Sequence, residues 1–110
     1  MSTKTHTFKV AGVYINLGED EAALIIYTDS WHKGKQVSVI GNGVHEAFVA
    51  ERYAHGGRRS YVAVFKRIPL RGSTSLGVSV YGDPVNSLSN HSVTLYAGNF
   101  TEIDARKPRT

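Results

Sequence analysis

Cysteine is absent from the 110 residues. Disulfides, thiolate metal sites and cysteine nucleophiles are therefore excluded. A chain of this kind suits a reducing cytoplasm. Long apolar runs are also missing. The longest, from Ala22 to Tyr27, is far too short to cross a membrane. The opening MSTKTHTFKV lacks the apolar stretch of a signal peptide. A cytoplasmic protein without membrane contact is the expectation.

Catalytic patterns are missing too. GNGVH and RGSTS do not match the G-x-S-x-G nucleophile elbow. The acids number nine, and Glu19, Asp20 and Glu21 stand together in a turn, where water solvates them. The five histidines show neither H-x-H nor H-x3-H spacing, so a metal site has no sequence support. No enzyme and no cofactor are expected. Helix is scarce as well, because no window holds a 3.6-residue apolar period.

Strands fill the chain instead. In STSLGVSVYG, Leu76, Val78 and Val80 alternate with Gly77, Ser79 and Tyr81. HSVTLYA repeats the pattern with Val93 and Leu95. EAALIIYT is apolar on both faces, as a covered central strand would be. A last short strand is expected in FTEIDA. Turn signals recur every 8–12 residues or so, the spacing of a sandwich or barrel. The length makes one domain over 1–110, with frayed ends at 1–4 and 105–110. The expected fold is an all-β antiparallel sandwich of seven or eight strands. Its core is expected to hold Val10, Leu24, Ile26, Val37, Val39, Val62, Val64, Leu76, Val78, Val80, Val93 and Leu95. Tyr14, Tyr27, Phe48, Phe65 and Phe100 are assigned to the interior as well.

Thirteen Lys and Arg against nine acids give a net charge of +4. The stretch ERYAHGGRRSYVAVFKRIPLRG, residues 51–72, carries six of those bases and one acid. It reads as a hairpin, with Glu46–Tyr53 and Ser60–Arg67 as arms and Gly56-Gly57 in the turn. Arg52, Arg58 and Arg59 fall at its tip and Lys66, Arg67 and Arg71 at its far end. Alternation sends Lys66 and Arg67 to opposite faces.

Strand direction then sorts the loops. In an antiparallel sandwich, alternate loops share an end. One end collects NLGED, GNG and RIPLRG. The other collects TDSWHKGK, YAHGGRR and YGDPVNSLSNH. This second end holds the expected binding residues, Trp31, His32, Tyr53, His55, Arg58, Arg59 and His91. Three uses are open to it. A partner protein or a second copy could dock there or on an exposed strand edge, making a homo-oligomer. Nucleic acid or another polyanion could use its bases and aromatics. A carbohydrate or small ligand could lie on Trp31.

GEDEAALIIYT, HEAFVAER and YVAVFKRIPLRG also carry a resemblance. They follow the scheme GD-x-x-(G/A)-A-L-hh-x-T, H-x-A-h-x-E-R and h-x-A-h-(F/Y)-x-x-(L/I)-P-x-G, where h is apolar. On these stretches the chain resembles small bacterial β-sandwich proteins without an assigned activity. The last stretch is also similar to prealbumin-like and collagen-adhesin B-type domains, although Ser73-Thr74-Ser75 stands where those have an aromatic. The resemblance implies a sandwich of seven or eight strands, immunoglobulin-like or prealbumin-like, and implies no activity.

Overall fold

The structure is a computed structural model that describes residues 5–10, 12–53, 57, 59–82 and 91–106. It is all-β, with two four-stranded sheets packed as a sandwich-like body. The first sheet runs β10-β3-β7-β6, from strands β3 (Glu21–Thr28), β6 (Ala50–Tyr53), β7 (Arg59–Pro69) and β10 (Phe100–Asp104). The second runs β5-β4-β8-β9, from β4 (Gln36–Gly41), β5 (Gly43–Phe48), β8 (Ser75–Gly82) and β9 (His91–Tyr96). A hairpin of β1 (His6–Val10) and β2 (Val13–Leu17) forms a third layer. Among the described residues the only helix is a 3-10 turn, Ser30–His32. No described helix is long and apolar enough to cross a membrane.

β3 is the centre because both of its faces are apolar. Ala22, Leu24 and Ile26 turn toward the second sheet and pack on Val37, Val39, Val80 and Leu95. Ala23 and Ile25 turn the other way and pack under Ile15 and Leu17 of the hairpin. The larger of these side chains are fully buried, and each contributes about 1.5–3 kcal/mol by leaving water. The domain therefore has two cores, one on each side of the β10-β3-β7-β6 sheet.

Several expectations change. Ten strands are present among the described residues where seven or eight were expected. The β1–β2 hairpin is one source of the excess. The other is Val49, where the chain changes sheets between β5 and β6. Val49 is buried at that corner, with its N–H donating to the Lys35 carbonyl (2.9 Å) and its carbonyl accepting from Gly34 (2.8 Å). The hairpin of residues 46–67 is thus shorter than its sequence suggested. Only Ala50–Tyr53 pairs with β7, and Glu46 to Phe48 belong to the other sheet.

Val10 and Val62 are buried, but in the core beneath the hairpin rather than between the sheets. Val64 flanks that second core, and Leu76 and Val93 flank the first, all only partly buried. Tyr14 and Phe48 are corrections: they are 65% and 63% exposed. Alternation buries Val13, Ile15 and Leu17, which leaves Tyr14 outward. Phe48 is paired beside Gln36 and shares its outward face. Lys66 and Arg67 sit at a β-bulge, because Ala22 pairs Ile68 while Leu24 pairs Phe65. The extra residue breaks simple alternation there, and both bases are exposed.

The sandwich is not wholly antiparallel as expected: β10 joins β3 in parallel, with Phe100 beside Ala23 and Ile103 beside Ile26. Ala105, in the stretch expected to fray, is buried, and its N–H donates to the Tyr27 carbonyl at 2.7 Å. Residues 1–4 and 107–110 lie outside the described residues.

Candidate functional site

The register brings one group of expected site residues together. β3 delivers the chain into the Ser30–His32 turn at the end where Thr28 pairs Tyr61. β6 and β7 reach the same end, with Tyr53 paired to Arg59. Glu51 stands at the centre of this group. Its carboxylate accepts from the Tyr53 hydroxyl (2.7 Å) and faces Arg59 Nε (3.6 Å) and Lys33 Nζ (3.7 Å). The hydrogen bond from Tyr53 is the main cause holding the Glu51 carboxyl below its usual range, with Arg59 and Lys33 adding to it. The same bond pushes the Tyr53 phenol up. Arg59 also lies over the Tyr53 ring at 5.8 Å.

Trp31 and His32 are neighbours with opposite surroundings. Trp31 is 63% exposed, whereas His32 is buried. His32 Nδ1 accepts the Asp29 N–H (3.3 Å) and its own N–H donates to the Asp29 carbonyl (3.0 Å). This closes the turn on itself, so His32 holds the loop while Trp31 stands out from it. His91 opens β9 opposite Val80, and its side chain lies outside the described residues, as do His55 and Arg58. Among the described residues no three His, Asp or Glu are grouped to hold a metal ion.

A second surface went unrecognised in the sequence. β4, β5, β8 and β9 contain no Lys, Arg or Asp, and one acid, Glu46. All thirteen bases lie elsewhere in the chain. The register sets out the outer face of this sheet. Phe48 stands beside Gln36, and Glu46, Ser38 and Tyr81 form the next row. Val44, Ile40, Ser79 and Ser92 form the row after that. Phe48, Val44, Ile40, Tyr81 and Tyr96 are each 41–63% exposed. Glu46, the lone charge, accepts a hydrogen bond from Gln36 across the strands. The outward positions Val44 and Phe48 alternate with the half-buried His45 and Ala47 in the sequence, and Tyr81 follows the buried Val80. That alternation is the signal in the sequence, but large apolar side chains on either face of a strand look alike until it is known which face is covered.

Two clefts lie among the described residues. One of about 460 Å³ lies between β5 and the second half of β7, lined by Val44, His45, Glu46, Val64, Phe65, Lys66, Arg67 and Ile68. His45 Nε2 is out of contact with water there and has no hydrogen-bond partner among the described residues. The other, of about 490 Å³, lies between His6 and Phe8 of β1 and the turn at Ala97–Asn99. No family model, curated protein or solved structure matches the chain.

Proposed function

We propose that this is a non-catalytic interaction module that self-associates through the outer face of the β5-β4-β8-β9 sheet. One observation carries the reading: a chain of net charge +4 keeps all of its bases off one sheet and exposes aromatic and aliphatic side chains there. Interface cores are depleted of charge and enriched in aromatics. Two copies meeting elsewhere would bring like charges together, and this face avoids that. Four strands of about six residues make a face about 20 Å on a side. Two such faces amount to about 800 Å² in total, below the range of stable specific interfaces and in that of weak, transient ones. The dimer is therefore weak and reversible.

The polyanion reading has less support at the Trp31 end, since two of its described bases, Lys33 and Arg59, already face Glu51. A sugar platform would need further aromatics in one plane with Trp31. Kinship with small bacterial β-sandwich proteins, a weaker one with prealbumin-like and collagen-adhesin B-type domains, and a cytoplasmic location belong to the same proposal, resting on residues 18–72 and on the missing cysteine.

Light scattering across a concentration series tests it. The mass should rise toward that of a dimer with concentration. Ile40→Lys or Tyr81→Lys should hold it at the monomer without lowering the melting temperature, because both side chains are exposed. A protein that stays monomeric into the millimolar range, or a dimer indifferent to both substitutions, refutes the reading.

A further inference from the structure

β6 is four residues long and begins at Ala50, opposite Val62. β7 continues to Pro69. From Ala63 to Pro69, therefore, β7 has β3 on one side and, among the described residues, no hydrogen-bonded strand on the other, although β5 stands close by. The chain that would have lain there turns away at Val49 and serves the second sheet as β5. What separates β5 from this bare stretch of β7 is the 460 Å³ cleft.

We propose that this cleft takes an extended acidic peptide, which adds to β7 in line with β6. A free strand edge offers unpaired N–H and C=O groups to an incoming chain. Seven residues give an edge about 23 Å long, room for a peptide of about six. The side chains along it set the chemistry. Lys66 has no ion-pair partner among the described residues. Arg67 engages Glu21 through Nε (3.0 Å) and remains 68% exposed, with the rest of its guanidinium fork open. A strand alternating acidic and apolar residues would offer carboxylates to these bases and apolar groups to Val44 and Val64. Lys66 and the bulge are also the devices by which strand edges repel copies of themselves. An acidic strand answers the charge that a second copy of this edge would oppose. The proposal is independent of the uncharged sheet face.

The experiment uses the Ile40→Lys chain, so that self-association through the uncharged face does not enter. A fluorescein-labelled peptide of three Val-Glu repeats is titrated by anisotropy, beside a Val-Lys peptide and a Val-Glu peptide N-methylated at alternate residues. The acidic peptide should bind at least about tenfold more tightly than the basic one. N-methylation should abolish binding by removing main-chain donors. Lys66→Glu should weaken the acidic peptide about tenfold or more and favour the basic one, with an unchanged melting temperature. Absence of binding at millimolar peptide, equal affinity for both charges, or indifference to N-methylation overturns the proposal. So does a residual dimer of the Ile40→Lys chain that Lys66→Glu dissociates, since a second copy would then occupy the edge.

Discussion

Gly12 lies directly against the carbonyl of Tyr53: a methyl group built on Gly12 would stand 2.2 Å from that oxygen. The turn of the β1–β2 hairpin is thereby pressed onto the end of β6, beside the Glu51 cluster. Gly12 also has φ of +76°, a region L-residues rarely enter. Gly34 has φ of +84° but nothing within 4 Å of an added methyl. Gly12→Ala should cost about 2 kcal/mol or more, and Gly34→Ala only about 1. Urea unfolding of the two variants checks the difference. Equal losses would mean that the contact with Tyr53 contributes nothing.

The hairpin should behave as part of the folded unit. Ile15 is fully buried beneath it. Ile15→Ala should destabilise the domain by about 2–5 kcal/mol, with a single cooperative transition. Val78→Asp, in the other core, should prevent folding, because an unpaired buried carboxylate costs several kcal/mol. A small loss for Ile15→Ala, or a separate early transition, would make the hairpin an appendage.

Trp31 and His32 should respond in opposite ways. Trp31→Ala should change stability by less than about 1 kcal/mol, and Trp31 fluorescence should be readily quenched by acrylamide. His32→Ala removes the acceptor of the Asp29 N–H and should lower stability by about 1–2 kcal/mol. Thermal melts of the pair decide the matter.

The C-terminal strand ends in a charged cluster with a pH signature. Burial, then the hydrogen bond to Glu102, pushes the Tyr27 phenol up to about 12. Its folded value lies above the ordinary 10, so the stability it adds is complete below pH 10 and is lost as pH rises to about 12. Phenolate absorbance should show a tyrosine titrating near pH 12 that is lost in Tyr27→Phe, while Tyr53, which is also raised, remains in that variant. Asp104 has the opposite sign. Arg106, bound through Nε and Nη2 (2.9 and 2.8 Å), holds its carboxyl down to about 2. Its contribution is present above about pH 4 and is lost as pH falls toward 2. With both side chains 58% exposed, water and salt reduce it to no more than about 1 kcal/mol. Acid melts of Asp104→Asn against the parent measure that increment.

Much of the fold can be read from local pattern. β3 shows its central place because both of its faces are apolar. The loops around Trp31, Tyr53 and Arg59 follow from strand direction, because Val49 switches sheets without reversing the chain. What stays hidden are events that depend on distant neighbours. Nothing in HEAFVAER marks Val49 as a corner, since a continuous strand and a strand that changes sheets share one alternation. The third layer is hidden because FKVAGVYINL looks the same over a second sheet as over a first. Phe48 and Tyr14 mislead because alternation assigns a residue to a face without saying which face is covered. Glu51 escaped notice because its role depends on three partners, one of them eighteen residues away in sequence.

The parallel pairing of β10 with β3 has a consequence for synthesis. Phe100 meets Ala23 across 77 positions of chain. As the polypeptide leaves the ribosome, β3 can gather β7 soon after residue 69 emerges, but its other flank stays bare until the final strand appears. Until then the most apolar segment of the chain presents an open, uncharged edge to every other nascent copy. β10, the last of the described strands, is the one that covers this edge of β3 and ends its exposure to pairing with other chains.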